Sequence, residues 1–204
     1  MKRTYIYVDG FNLYYGALKD TDHKWLDLKS LFEKLLAPGN EIIKIKYYSA
    51  RVSDKIKKGA SARQHAYINA IKTIPEVEVI WGNFLYTEKT RRMVEPPRSY
   101  VKVEIAEEKG SDVNLASHLI NDGWKDLYDV AVVVSNDTDL VEPIRIVKEE
   151  LHKTVGIICP HKRLAENLAS IPPSFIRHID NKMLRMSQFS RVITRTSIKK
   201  PDSW

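Results

Sequence analysis

The feature that most constrains the fold is an alternation of short apolar, β-branched runs with amphipathic helical stretches. The sharpest run is Val130–Val134, five consecutive apolar residues with polar residues on both sides. Such continuous hydrophobicity is typical of a central strand that is buried on both faces of a parallel sheet. Strands and helices alternate over roughly 180 residues. This order predicts an α/β fold, a three-layer α/β/α sandwich with a mostly parallel central sheet.

Hydrophobic periodicity and turn residues locate the individual elements. Predicted strands cover 5–8, 42–48, 77–86, 100–105, 130–134, 155–158 and 175–179. Predicted helices cover 26–36, 60–74, 112–120, 140–151 and 164–169. We expect Asp122-Gly123 to end the third of these helices. The basic, proline-containing segment 86–102 lies between two strands, and this predicts a hairpin-like basic insertion.

Length and composition indicate one sizeable domain. Of the 204 residues, we assign 1–186 to that domain and 187–204 to a basic C-terminal tail with little core-forming pattern. No run of 18 apolar residues occurs, and the apolar stretch near the start is too short for a signal peptide. The single cysteine, Cys159, excludes an intramolecular disulfide, and we expect it to be a buried thiol. We therefore predict a cytoplasmic protein with no membrane association.

Basic residues are concentrated in three stretches of a chain whose formal net charge is +7. Residues 51–63 and 89–102 each contain five Lys or Arg and one acid, and residues 182–204 contain six and one. The rest of the chain is net acidic. This distribution predicts a polyanionic partner whose phosphates are held by Lys and Arg. Charge alone leaves an ordinary solvated surface open as the alternative.

Acidic residues follow two of the predicted strands. Asp9 comes directly after the first strand, and Asp137 and Asp139 come directly after 130–134. Ligands of open parallel sheets gather at the carboxyl ends of the strands, so neighbouring strands would bring these carboxylates together. Asp112, at the start of a helix, would add a fourth. Clustered carboxylates repel one another unless a cation lies between them, and Mg²⁺ or Mn²⁺ accepts oxygen ligands.

Helix capping is the alternative for each acid taken singly. Asp137 or Thr138 would cap the helix that begins near Leu140. Asp9 would belong to a turn, and Asp112 would interact favourably with its helix dipole. Acids after two separate strands and at a helix start are harder to ascribe to capping. The residues alone thus leave a metal site and a structural role both open.

Three motifs carry a resemblance to a known family. They are VDGFNL at 8–13, EKGSDVNL at 108–115 and VSNDTDL at 134–140. In this order they resemble the NYN domain, a branch of the PIN-like nuclease superfamily that includes the bacterial LabA-like (DUF88) proteins. The resemblance covers roughly residues 3–180. It implies a three-layer α/β/α fold and metal-dependent cleavage of RNA, either single-stranded or structured.

The resemblance also implies roles for individual residues. Asp9, Asp112 and Asp137 match the family's metal-site aspartates, and Asp139 is the second acid of the third motif. Asn12 is expected to orient a ligand or a phosphate. Mg²⁺ or Mn²⁺ held by these acids would lower the pKa of a bound water for hydrolysis of a phosphodiester, and no nucleophilic side chain is required.

Two further sets of residues complete the prediction. The basic residues expected to contact RNA phosphates are Lys57, Lys58, Arg91, Arg92 and Lys109. By the resemblance, Lys109 matches the basic residue that often precedes the family's central aspartate, here Asp112. None of the six histidines shows a paired metal-ligand spacing, and we assign none of them to catalysis. We allow for a homodimer as a further partner.

Other functions fit the residues less well. A haloacid-dehalogenase-type phosphatase would need an acid at Phe11, and a Toprim-type nuclease would need a glutamate in place of Asp9. A non-catalytic RNA-binding or regulatory module on the same fold is the rival from another class. Such modules usually lose acids, and all four acids are present here. A metal-dependent ribonuclease is therefore the leading prediction.

Overall fold

The computed structural model describes residues 1–55 and 58–204. Within them, seven strands form one sheet. The strands are β1 (Lys2–Asp9), β2 (Asn40–Ala50), β3 (Val77–Arg92), β4 (Tyr100–Lys109), β5 (Val130–Val134), β6 (Thr154–Cys159) and β7 (Phe175–His178). Every strand predicted from the sequence is present, although β1 to β4 and β6 extend beyond their predicted bounds.

The sheet is mostly parallel, and its strand order is β4-β3-β2-β1-β5-β6-β7. Among the strands of the described residues, β3–β4 is the one antiparallel pair. From β1 the chain adds strands on one side as far as β4, and then returns to place β5 on the other side of β1. The order therefore reverses between β1 and β5, where Val8 pairs with Val134. Open parallel sheets bind their ligands at such a reversal point.

Helices flank both faces of the sheet. They are α1 (Gly10–Leu13), α2 (Leu28–Leu35), α3 (Ala60–Ile71), α4 (Ser111–Trp124), α5 (Val141–Arg145), α6 (Glu166–Ala169) and α7 (Asn181–Met186), with π-helical turns at Tyr14–Leu18 and Ile146–Glu150 after α1 and α5. The helices α2, α3 and α7 pack on one face, whereas α4, α5 and α6 pack on the other. None of the helices in this part of the chain is long and apolar enough to span a lipid bilayer.

The central strand β5 shows why its sequence is apolar throughout. Val130, Val132 and Val134 belong to the core on one face of the sheet. Ala131 and Val133 belong to the core on the opposite face. Alternate residues of a strand lie on opposite faces, so a strand covered on both sides is apolar at every position.

A long antiparallel hairpin extends from one edge of the sheet. The first part of β3 pairs with β2 as far as Gly82. From Asn83 onwards β3 pairs instead with β4, up to the pair of Arg92 with Tyr100. The basic segment predicted to form a hairpin-like excursion thus lies at the far end of these two paired strands.

The predicted end of the third helix is wrong. Asp122 lies inside α4, which runs two residues beyond it. The Asp122 side chain is buried, and its Oδ2 accepts hydrogen bonds from Tyr7 Oη at 2.8 Å and Lys46 Nζ at 2.6 Å. An Asp-Gly pair favours a turn in isolation. Here the buried ion pair with β2 keeps this carboxylate inside the helix.

The segment 187–204 is in contact with the core, although its sequence shows little core-forming pattern. The Trp25 indole donates a hydrogen bond to the carbonyl of Ser190 at 2.9 Å. The rings of Phe189 and Trp204 lie 5.9 and 6.3 Å from the Trp25 ring. These contacts come from widely spaced residues, which a periodicity argument does not detect. The division into residues 1–186 and a tail stays a prediction.

Candidate functional site

Three carboxylates meet at the reversal point of the sheet. Asp9 is the last residue of β1, Asp137 comes shortly after β5, and Asp112 is the second residue of α4. One carboxylate oxygen from each lies within 4.8 Å of the others. The two strands that carry Asp9 and Asp137 are neighbours, as the sequence argument required. The structure therefore brings together three of the four acids predicted for the site.

Asp9 caps helix α1 and also belongs to the acidic group. It is only 7% exposed. Its Oδ1 accepts a hydrogen bond from the backbone N–H of Asn12 at 2.9 Å and so caps α1, and its Oδ2 accepts one from the Ser135 hydroxyl at 3.0 Å. A carboxylate has about four lone-pair positions, so these two bonds leave acceptors for a cation. Capping and metal binding are compatible at this residue.

The backbone and the hydrogen bonds at the start of α4 fix the position of Asp112. Gly110, with a φ of +95°, adopts the left-handed backbone that precedes the helix. Both the N–H and the hydroxyl of Ser111 donate to Glu108 Oε1, at 3.2 and 2.8 Å. The chain of β3 passes close by at Gly82, where a Cβ would lie 2.9 Å from Ser111 Oγ. Glycine at this position lets the first turn of α4 approach the sheet.

Burial and nearby like charges raise the pKa values of Asp112 and Asp9. The pKa of Asp112 rises to about 6, first because the carboxyl is partly buried and then because Asp9 and Asp137 are near. Burial also raises the pKa of Asp9, although its hydrogen bonds from Asn12 and Ser135 oppose this effect. Concentrated negative charge of this kind is relieved by a cation. An all-oxygen ligand set fits the hard cations Mg²⁺ and Mn²⁺.

Asp139 lies outside the group of three. Its backbone N–H donates to Asp137 Oδ1 at 2.9 Å, so it helps to hold Asp137. Its own side chain is exposed. Its charge raises the pKa of Asp112 less than the charges of Asp9, Asp137 and Glu108 do. A ligand role for Asp139 stays a prediction.

Asn12 joins the acidic site to the loop after β6. Its Oδ1 accepts hydrogen bonds from the backbone N–H of Asn136 at 3.0 Å and from His161 Nε2 at 3.1 Å. Asn136 in turn accepts from the backbone N–H of Ala165 at 2.8 Å through its own Oδ1. His161, which follows Asn12 by 149 residues, was not among the site residues predicted from the sequence. The one sequence feature that pointed to His161 was its position just after β6, which is a neighbour of β5.

The predicted RNA contacts fall in different places. Lys57 lies outside the residues that the structure describes, and Lys58 is exposed beside it. Lys109 is close to the site, but it forms an ion pair with Glu107 at 3.0 Å. Glu107 also pairs with Lys89, and the two lysines lower the pKa of Glu107 to about 2.

Arg91 and Arg92 are exposed at the far end of the hairpin. Ten residues of strand separate Arg92 from Gly82, which is close to the first turn of α4. At about 3.3 Å per residue, this distance is about 30 Å. Lys162 and Arg163, which the sequence analysis did not select, are exposed on the loop that Asn136 and His161 connect to the site.

The fold and the site define a class of protein, an α/β protein with an acidic centre at the carboxyl ends of its central strands. The comparison of sequences names the family. The chain matches the NYN domain over residues 3–180, which is nearly its whole length. It therefore belongs to the NYN domain family, a branch of the PIN-like nuclease superfamily.

Known proteins that are similar to this chain include a curated relative and a solved structure. One is 6-hydroxy-3-succinoylpyridine 3-monooxygenase HspA of Pseudomonas putida (strain DSM 28022 / S16), with 30% identity over 99% of this chain and 75% of that protein. The other is a crystal structure of a protein of unknown function from Vibrio parahaemolyticus. It covers 88% of this chain and 94% of its own, with a TM-score of 0.55 and 19% identity. The Vibrio structure supports the fold alone.

Proposed function

We propose that this protein is a metal-dependent ribonuclease that hydrolyses phosphodiester bonds of RNA with Mg²⁺ or Mn²⁺. The observation that carries the proposal is the group of Asp9, Asp112 and Asp137, whose oxygens lie within 4.8 Å of one another. This group lies at the ligand-binding edge of the sheet, in a chain that belongs to the NYN family. A non-catalytic RNA-binding module would have no need for the electrostatic repulsion that these acids create.

The acids of the site and Asn12 would have different roles in this reaction. Asp9, Asp112 and Asp137 would hold the cation, and Asp139 would support Asp137 through its backbone N–H. When bound, the cation supplies a polarised water and a positive charge against the phosphate oxygens. Asn12 would orient the phosphate, since its backbone N–H donates to Asp9 and its side-chain oxygen accepts from Asn136, the residue before Asp137.

The basic side chains would hold the flanking RNA. We propose Lys57, Lys58, Arg91, Arg92 and Lys109 as phosphate contacts, with Arg91 and Arg92 touching RNA far from the cleaved bond. Replacing the four residues other than Lys109 by alanine should lower the slope of log affinity against log salt by about 0.7 per lost contact. An unchanged slope would remove these four residues from the RNA-binding surface.

The decisive experiment is cleavage of labelled RNA, single-stranded and hairpin, with Mn²⁺, Mg²⁺ or EDTA. We expect cleavage with either metal and none in EDTA. The variants Asp9→Asn and Asp137→Asn should be inactive in every condition. Asp20→Asn is the matched control, because Asp20 is exposed and outside the acidic group. Full activity in both Asp9→Asn and Asp137→Asn would refute the proposal.

The Pseudomonas relative favours a second candidate, monooxygenation of a hydroxypyridine, because its similarity, at 30% identity, covers 99% of this chain. Such a reaction consumes molecular oxygen and a two-electron donor. Oxygen uptake should therefore be measured with 6-hydroxy-3-succinoylpyridine, reduced nicotinamide and flavin. Substrate-dependent uptake in a preparation that leaves RNA intact would favour this candidate over the nuclease.

Location and assembly are proposed separately. We propose a cytoplasmic protein, because its single cysteine, Cys159, is a free and buried thiol. We also propose that the protein forms a homodimer. Sedimentation velocity would detect this dimer as a doubling of mass that depends on protein concentration. Cell fractionation tests the location.

A further inference from the structure

The orientation of the Asn12 amide is determined by its neighbours. The backbone N–H of Asn136 can only donate, and it lies 3.0 Å from the atom assigned as Asn12 Oδ1. If the amide were flipped, its NH₂ group would face another donor. Asn12 must therefore present oxygen to Asn136. Its Nδ2 donates to no residue in the part of the chain that the structure describes, and its two hydrogens remain for a ligand.

His161 makes the second bond to the same oxygen. Because Asn12 Oδ1 can only accept, His161 Nε2 must carry the hydrogen of their 3.1 Å bond. The imidazole lies against Gly16, in the π-helical turn after α1, where a Cβ would be only 2.8 Å from Nε2. The backbone oxygen of His161 accepts a hydrogen bond from His178 at 3.1 Å, which ties the loop to β7. The ring thus occupies a fitted position beside the acidic site.

We infer that His161 is a positioning residue for the proposed ribonuclease reaction, and that it holds the Asn12 amide so that Nδ2 donates to the phosphate of the substrate. This inference rests on the proposed function. With a single bond to Asn136, the amide would rotate about its terminal torsion, which has a broad energy profile. The second donor restricts this rotation before the substrate arrives. This restriction should increase the rate of the chemical step, because that step is sensitive to small errors in the placement of the reacting groups.

Three replacements of His161 test the inference. His161→Phe keeps a ring against Gly16 but removes the donor, and it should lower kcat for RNA cleavage about 10- to 100-fold. The KM should change by less than about threefold, because RNA affinity depends mainly on phosphate contacts elsewhere. His161→Gln restores an N–H donor of similar reach and should recover most of kcat. The two variants, His161→Phe and His161→Gln, should have similar melting temperatures and similar affinities for RNA in EDTA.

A double-mutant cycle shows whether His161 acts through Asn12. Asn12→Ala should lower kcat at least as far as His161→Phe, and adding His161→Phe to Asn12→Ala should have no further effect. Multiplied losses, or a failure of His161→Gln to exceed His161→Phe, would overturn the inference. So would an unchanged kcat in His161→Phe while the wild type cleaves RNA. If the wild type cleaves no RNA with either metal, the proposed function falls and this inference falls with it.

Discussion

Replacement of Asp112 by Asn should make the metal-free protein more stable at neutral pH. The side chain keeps its size and an acceptor oxygen but loses its charge beside Asp9 and Asp137. In the folded protein the pKa of Asp112 is about 6, compared with 3.8 ordinarily, because of partial burial and these two neighbours. Most substitutions near a core destabilise a protein, so an increase in stability is a specific expectation.

The magnitude follows from the pKa difference. The folded state binds this proton more tightly than the unfolded chain does, so the cost of the charge is absent below pH 3.8. It grows as the pH rises and is complete above pH 6 or so. A difference between 3.8 and about 6 corresponds to about 3 kcal/mol. Because the carboxyl is only half-buried, solvent screening reduces this to about 1 to 2 kcal/mol.

Thermal unfolding in EDTA measures the effect. For a chain of this size, about 1 to 2 kcal/mol raises the melting temperature by roughly 3 to 6 °C. The gain should be present at pH 7 and should disappear near pH 4. Added Mn²⁺ should reverse the order, because a ligand of the folded state at 100 times its Kd contributes about 2.7 kcal/mol. The wild type has all three carboxylates for the metal, whereas the variant has two.

Two results would refute this reasoning. One is a melting temperature of Asp112→Asn below that of the wild type at pH 7 in EDTA. The other is a stability difference that stays constant between pH 4 and pH 7, since a charge effect must follow the titration. Asp20→Asn is the control for removing an exposed charge, and it should match the wild type throughout.

Three further outcomes are expected. Removing both Lys162 and Arg163 should weaken RNA binding and lower the salt slope by about 0.7 per lost contact, measured by fluorescence anisotropy; an unchanged slope would exclude this loop from the RNA surface. Tyr7→Phe should cost about 1 to 2 kcal/mol in denaturant unfolding, because it removes a buried hydrogen bond of 2.8 Å to Asp122; a neutral result would mean that the Lys46 partner suffices. Gly82→Ala should cost about 1 to 3 kcal/mol, because a Cβ there would lie 2.8 Å from a backbone oxygen of β4.

The sequence by itself determined the class of fold and selected the acids that the structure brings together. The run 130–134 predicted a strand buried on both faces, and β5 has these bounds. Asp9 and Asp137 were predicted to meet if the strands they follow were neighbours, because parallel neighbouring strands end at the same edge of a sheet. These inferences depend on local periodicity and on a general rule of sheet topology. Periodicity is contained in a short stretch of sequence, and the topology rule holds for open parallel sheets in general.

Only the tertiary structure decided which distant residues complete and support the site. His161 reaches Asn12 because β6 ends beside β5, and the orientation of that amide depends on a backbone N–H in another loop. Asp122 stays inside α4 because Lys46 of β2 pairs with it, against the turn preference of Asp-Gly. Each of these contacts joins residues separated by more than 70 positions in the sequence. Local periodicity carries no information about such pairs, since their energies exist only after the strands and helices have packed together.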